Sequence, residues 1–178
     1  MKMRSLIVLS FIGVSFLGAT EIVRSGGGVL PVDWSSTDSS HIKRTRSVPT
    51  ALQKAVKDVT LPVYIPKAYA NEKNLEVVAL KDFYAVTIHF KDATMMISGD
   101  RTYQQEIVSG GEQIVANMKK VANKFIRSEG ILSTDFNRHG VNYTLSIECD
   151  QPNKDSKCTK DRFLKRMYKS LIMVGGKK

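Results

Sequence analysis

The sequence predicts an α+β fold: an antiparallel sheet built from two hairpins, with two amphipathic helices packed on one face as a two-layer sandwich. Three observations carry that expectation. Apolar residues recur with period two on both sides of Lys91-Asp92, and again on both sides of Asn137-Arg138-His139-Gly140. They recur with helical spacing over two other stretches, 109–130 and 159–174. The order is hairpin, helix, hairpin, helix, which suggests two similar halves, although their sequence identity is too slight to claim a repeat.

The 178 residues have room for one ordinary domain plus peripheral segments. Met1-Lys2-Met3-Arg4 is a basic n-region, and Ser5 to Gly18 is an apolar stretch too short to cross a bilayer of about 30 Å. Residues 1–20 therefore read as a secretory signal cleaved near residue 20, which leaves no transmembrane domain. A retained anchor, helped by Ile22 and Val23, is the rival reading. Neither cysteine lies near this segment, so lipoprotein anchoring at the signal is excluded. Residues 21–47 contain Gly26-Gly27-Gly28, the run Ser35 to Ser40, the basic cluster Lys43, Arg44 and Arg46, and little periodic apolar content. That composition predicts a flexible linker. A single domain is expected over 48–178.

Within it, Pro49 suits the first turn of a short helix carrying Leu52, Ala55 and Val56. Val59, Leu61, Val63 and Ile65 then alternate with Thr60, Pro62, Tyr64 and Pro66, and the two prolines point to an edge or a short strand. Leu75 to Leu80 is another strand. Tyr84, Val86, Ile88 and Phe90 form one arm of the first hairpin, Met95 and Ile97 the other, with Gly99 closing it. Ser109 and Glu112 have capping-box spacing, and Gly110-Gly111 permits a tight turn into a helix or receives an anion on free amides. In that helix Ile114, Met118, Val121, Ala122 and Phe125 face one way, Lys119, Lys120, Lys124 and Arg127 the other, and Gly130 ends it. The second hairpin runs from Ile131 to Phe136 and returns through Val141, Tyr143, Leu145, Ile147 and Cys149, with Cys149 toward the core. In the last helix Phe163, Leu164, Met167, Leu171 and Val174 point inward and Arg162, Lys165, Arg166 and Lys169 outward, and Gly175-Gly176 terminates it.

The only cysteines, Cys149 and Cys158, flank a short polar loop, which in an exported chain predicts a structural disulfide worth about 2–3 kcal/mol in the chain-entropy model. A metal is the rival reading, but two thiols without nearby His or further Cys are too few ligands. Together Leu61-Pro62-Val63 with Pro66, Phe83-Tyr84, Ser98-Gly99-Asp100-Arg101, Gly140 to Leu145, Glu148-Cys149, Cys158 and Gly175-Gly176 resemble a group of uncharacterised small exported proteins of alphaproteobacteria. The resemblance spans most of 59–176. It implies export and the disulfide, and no activity.

Signs of catalysis are sparse. There is no nucleophile elbow, no HExxH and no phosphate-binding loop. No cofactor or metal is expected. His41 lies in the linker, while His89, Asp135 and His139 could approach one another only if the hairpins were neighbours. Asp100-Arg101, just past a strand, is either a site loop or a surface ion pair. Asn142-Tyr143-Thr144 matches a glycosylation acceptor but falls within a strand.

Charge is the unusual property. The chain carries a net +10, and loss of residues 1–20 leaves 25 basic against 17 acidic side chains, a net +8. If the two helices lie side by side, Lys119, Lys120, Lys124, Arg127, Arg162, Lys165, Arg166 and Lys169 merge into one positive patch. Aromatic residues are not interleaved with these charges, which argues against specific nucleic-acid binding. The sequence thus points to a periplasmic or secreted, non-enzymatic interaction protein whose basic helical face meets an acidic protein or an anionic envelope component. The alternatives are a small periplasmic hydrolase or ligand-binding protein near Asp100-Arg101, and a structural subunit of an envelope complex pairing through an exposed edge strand at Val59 to Ile65.

Overall fold

A computed structural model of the chain describes residues 23–37, 48–72, 75–107 and 124–178. The signal expected at 1–20 and most of the helix expected over 109–130 fall outside them. Among the described residues the protein is mostly β: ten strands and three helices, of which only one reaches two turns. The α+β sandwich with two long helices is thereby overturned.

In chain order the elements are β1 (Val23–Val29), a 3-10 turn (Trp34–Ser36), α1 (Thr50–Ala55), β2 (Val63–Pro66) and a second 3-10 turn (Lys67–Tyr69). Then come β3 (Leu75–Leu80), β4 (Phe83–His89), β5 (Ala93–Asp100), β6 (Thr102–Ile107) and β7 (Phe125–Ser128). The chain ends with β8 (Ile131–Arg138), β9 (Val141–Cys149), α2 (Ser156–Thr159), α3 (Arg162–Lys169) and β10 (Leu171–Gly175). Six strands form one antiparallel sheet in the order β3-β4-β5-β9-β8-β7, while β1 pairs with β6 and β2 with β10 as two-stranded ribbons.

The period-two segments form strands because one face of the sheet is covered. Tyr84, Val86, Ile88, Met95, Ile97, Leu132, Phe136, Val141, Tyr143, Leu145 and Ile147 are all buried, and the alternate residues are exposed or half-buried. The covering layer is contributed by Leu52 of α1, Val63 and Ile65 of β2, Leu164 and Met167 of α3, and Leu171 to Val174 of β10. The opposite face is polar, with Thr87, Ser98, Ser133, Asp135, Asn142, Thr144 and Ser146 half-buried there.

Several expectations need correction. Phe125 to Ser128, read as the end of a helix, is an edge strand paired with β8. Leu171 to Val174, read as helix, is a strand paired with β2 and buried at all four positions. The segment expected as an exposed edge, Val59 to Ile65, has its β2 portion paired to β10 and buried throughout. Part of the expected linker is ordered structure: β1 pairs with β6, and Asp33 N–H donates to His139 O at 2.9 Å. Gly99 does not close β5 but lies inside it. The Cys149–Cys158 disulfide is formed, joining the end of β9 to α2 just before the last helix.

The suggestion of two similar halves has a geometric basis. Residues 75–100 and 125–148 carry two three-stranded meanders related by a constant offset of 48 residues. Phe83↔Asp100 in the first corresponds to Ile131↔Glu148 in the second, and Val77↔Val86 to Phe125↔Thr134. The two meet where β5 and β9 pair, and Ile97↔Leu145, themselves 48 apart, sit on the pseudo-dyad. Only Ser98 and Ser146 are identical across this correspondence. Both loops flanking β8 are two residues long, with Glu129 and Gly130 at φ 51° and 85° and His139 and Gly140 at φ 54° and 82°. Such turns match the right-handed twist of the paired strands.

Candidate functional site

The four cations expected on the last helix come together on α3. Leu164 and Met167 anchor the helix in the core, so spacing of three and four residues turns Arg162, Lys165, Arg166 and Lys169 outward as one stripe. All four are exposed. They line an open hollow of about 430 Å³ together with Ser170, and no carboxylate contributes to its lining. The guanidinium of Arg166 lies 5.7 Å from the Phe163 ring centre. Ser170 N–H donates to the carbonyls of Arg166 and Met167 and closes the helix. Arg166 and Lys169 in its last turn also favour the negative end of the helix dipole.

Arg101, Arg127 and Lys157, by contrast, are engaged in ion pairs. Arg127 is not on a helix: from β7 its Nε donates to Cys158 O at 2.9 Å, and a terminal nitrogen reaches Asp161 at 3.4 Å. It braces the α2–α3 junction. Lys124 is exposed ahead of β7, and Lys119 and Lys120 lie outside the described residues. Among the described residues, the α3 stripe is the part of the expected patch that comes together on a helix. Lys157 lies 2.7 Å from Asp155 and 3.0 Å from Asp92. Hydrogen bonds from Lys157 hold the Asp155 carboxyl below its ordinary range, and the same bonds raise the Lys157 ammonium.

Asp100 and Arg101 each make contacts within the fold. Asp100 accepts from Thr102 N–H and Oγ1, both at 2.7 Å. Arg101 lies 3.1 Å from Asp82 and donates to Thr60 O at 3.0 Å. These contacts fix the passage from β5 into β6 and the approach to β2. His89, Asp135 and His139 are not brought together. His89 shares a cross-strand row with Ile131, whereas His139 follows Arg138, seven residues further along β8, or about 23 Å. His89 instead contacts Glu76 at 3.2 Å, and Asp135 accepts from Thr144 at 2.6 Å. No metal-competent group of His, Cys, Asp and Glu occurs among the described residues.

One cluster escaped sequence reasoning. The Arg138 guanidinium lies over Tyr64, Phe136 and Tyr168, with ring centres 5.0, 5.5 and 5.5 Å away. Beside it, Tyr64 OH is 2.8 Å from His139 Nε2, and Ser36 Oγ is 2.6 Å from Nδ1. The rings come from β2, β8 and α3, so no local pattern could signal their convergence. Burial holds the Tyr64 hydroxyl above its ordinary range, with Arg138 pulling the other way. Burial raises Tyr84 and Tyr143 far more. Tyr143 OH donates to Pro62 O at 2.9 Å, and Tyr84 OH accepts from Tyr64 N–H at 2.9 Å. These hydroxyls tie β2 to the sheet.

Among the described residues no helix is long and apolar enough to cross a membrane. Comparison with family models, curated proteins and solved structures finds no match.

Proposed function

We propose that this chain is an exported, non-enzymatic interaction protein of the cell envelope, periplasmic or secreted, that docks on an anionic envelope surface through α3. The observation that carries this reading is the set of four exposed cations lining one hollow without a carboxylate, in a protein that engages Arg101, Arg127 and Lys157 in ion pairs. A helix stripe with i, i+3, i+4, i+7 spacing spans about 10 Å, enough to meet several phosphates at once. None of the large exposed apolar side chains lies on α3, so contact is electrostatic and peripheral. The disulfide supports an oxidising compartment.

The test is sedimentation of the mature chain with phosphatidylcholine vesicles containing or lacking phosphatidylglycerol, across a salt series. Binding is expected only with the anionic lipid, to weaken steeply as salt rises, and to be lost when Arg162, Lys165, Arg166 and Lys169 are all changed to Gln. Undiminished binding by that variant, or no binding by the parent at low salt, would overturn the reading.

A further inference from the structure

Residues 30–37 leave β1 and pass the turn between β8 and β9. Leu30 N–H donates to Arg101 O at 2.7 Å, and Asp33 N–H donates to His139 O at 2.9 Å. Pro31 O lies so close to Gly140 that a Cβ there would meet it at 2.6 Å, and the Trp34 ring would meet one on Gly176 at 2.9 Å. A side-chain link joins the same segment to the interior. The His139 ring stands between Ser36 Oγ, 2.6 Å from Nδ1, and the hydroxyl of buried Tyr64, 2.8 Å from Nε2.

The two ends of that link set the direction of its protons. Ser36 Oγ donates to Asp33 O at 2.9 Å, which commits its one proton, so Nδ1–H is the donor in the contact with His139. At the other end Arg138 pulls the Tyr64 hydroxyl toward ionisation and has only donors to offer that oxygen. The Tyr64 proton therefore points to Nε2, and the link is complete with a neutral imidazole. A proton added at Nε2 would face the Tyr64 O–H and place a second positive charge beside Arg138. Turning the phenol around would take its proton away from the acceptor it has on His139.

We propose that His139 is a pH-sensitive latch, holding residues 30–37 on the domain while neutral and releasing them when protonated. Among the described residues the groups around it are Tyr64 from β2, Arg138 from β8, and Ser36 and Asp33 from the segment itself. The Asp33 carboxylate accepts from Ser35 and from the Ser36 N–H, so it is turned to its own loop, and those bonds hold it below its ordinary range. Docking is thus complete at neutral pH and weakens as acid protonates the imidazole.

Trp34, the single tryptophan, lies in the segment and reports on it directly. Its emission and acrylamide quenching in the mature chain are followed from about pH 8 to about pH 5, the range over which an imidazole ordinarily changes charge, with far-UV circular dichroism alongside. The parent is expected to shift to longer wavelength and to be quenched more strongly in acid, with the far-UV signal unchanged. His139→Gln should lose the pH response, whereas His89→Gln and His41→Gln keep it. Ser36→Ala, at an exposed position, removes the hydroxyl through which the ring reaches the segment and should also lose most of the response, which covers the case that His139→Gln fails to fold. An emission that does not change with pH, a response kept by both His139→Gln and Ser36→Ala, a shift to shorter wavelength in acid, or a change that coincides with loss of the far-UV signal would each overturn the proposal.

Discussion

Replacing Gly99 with alanine tests the packing that holds the two layers together. Gly99 has no positive φ, so alanine meets no backbone strain, and in an open strand this change would stabilise by about 0.4–1 kcal/mol through the unfolded chain. Here the added Cβ would lie 2.6 Å from a Tyr84 ring carbon, 2.7 Å from one of Tyr143 and 2.9 Å from a Leu61 methyl. Both rings are fully buried and tethered through their hydroxyls to backbone at Tyr64 of β2 and at Pro62 just before it. Neither can retreat without breaking a buried hydrogen bond. Overpacking of this kind costs about 1–3 kcal/mol, more than the entropic gain at most of that range. Less that gain, about 0.5–2.5 kcal/mol remains, and at about 3 °C per kcal/mol for a domain of this size Tm should fall by roughly 2–8 °C. Thermal unfolding followed by circular dichroism reads the shift, with Ser98→Ala on the opposite face as a control within about 0.5 kcal/mol. An unchanged or raised Tm for Gly99→Ala would show that the tyrosines are free to move, and the account of how β2 is held would fail.

Tyr64, Tyr84 and Tyr143 have hydroxyls raised above the ordinary value of 10.0 by burial, so the folded chain favours their neutral forms. Their contribution to stability is complete below about pH 10 and is lost as pH rises toward the folded values. Ultraviolet difference titration should find at least three tyrosines that ionise only on alkaline unfolding; ionisation of every tyrosine in the folded state would refute the assignment. Arg138→Ala should cost about 1–2 kcal/mol in urea unfolding because three ring contacts are lost. Arg162→Ala, on an exposed position, should stay within about 0.5 kcal/mol, and equal costs would contradict the division between structural and unengaged cations.

The parts of the fold legible in the sequence are those with one face buried. β3, β4, β5, β8 and β9 show a period of two because alternate residues meet the core or the polar face. β2 and β10 are buried on both faces, and a run such as Leu171 to Val174 continues the spacing of Leu164 and Met167 as readily as it forms a strand. β7 is four residues of edge with a half-buried Phe125 followed by three exposed positions, so the helical pattern upstream ran into it unopposed. β1 contains Gly26-Gly27-Gly28 and is defined only by its pairing with β6. At the site, the α3 stripe was readable because helical spacing places its cations on one face. Arg127 was misplaced because its role depends on an α2 carbonyl 31 residues away.

The pseudo-dyad sharpens what the charge means. Two meanders with matching registers could carry matching surfaces, but Val78, Ala79 and Leu80 of the first correspond to Ile126, Arg127 and Ser128 of the second. The basic helix follows only the second meander, while the first runs on into β6. Matching registers therefore support two different edges, one apolar, the other tied by an arginine to the segment that launches α3. Because Arg127 is consumed in holding that junction, the stripe beyond it is presented on a fixed base. Arg127→Ala should consequently lower the affinity for anionic vesicles by more than its single charge accounts for, since it frees Asp161 next to Arg162.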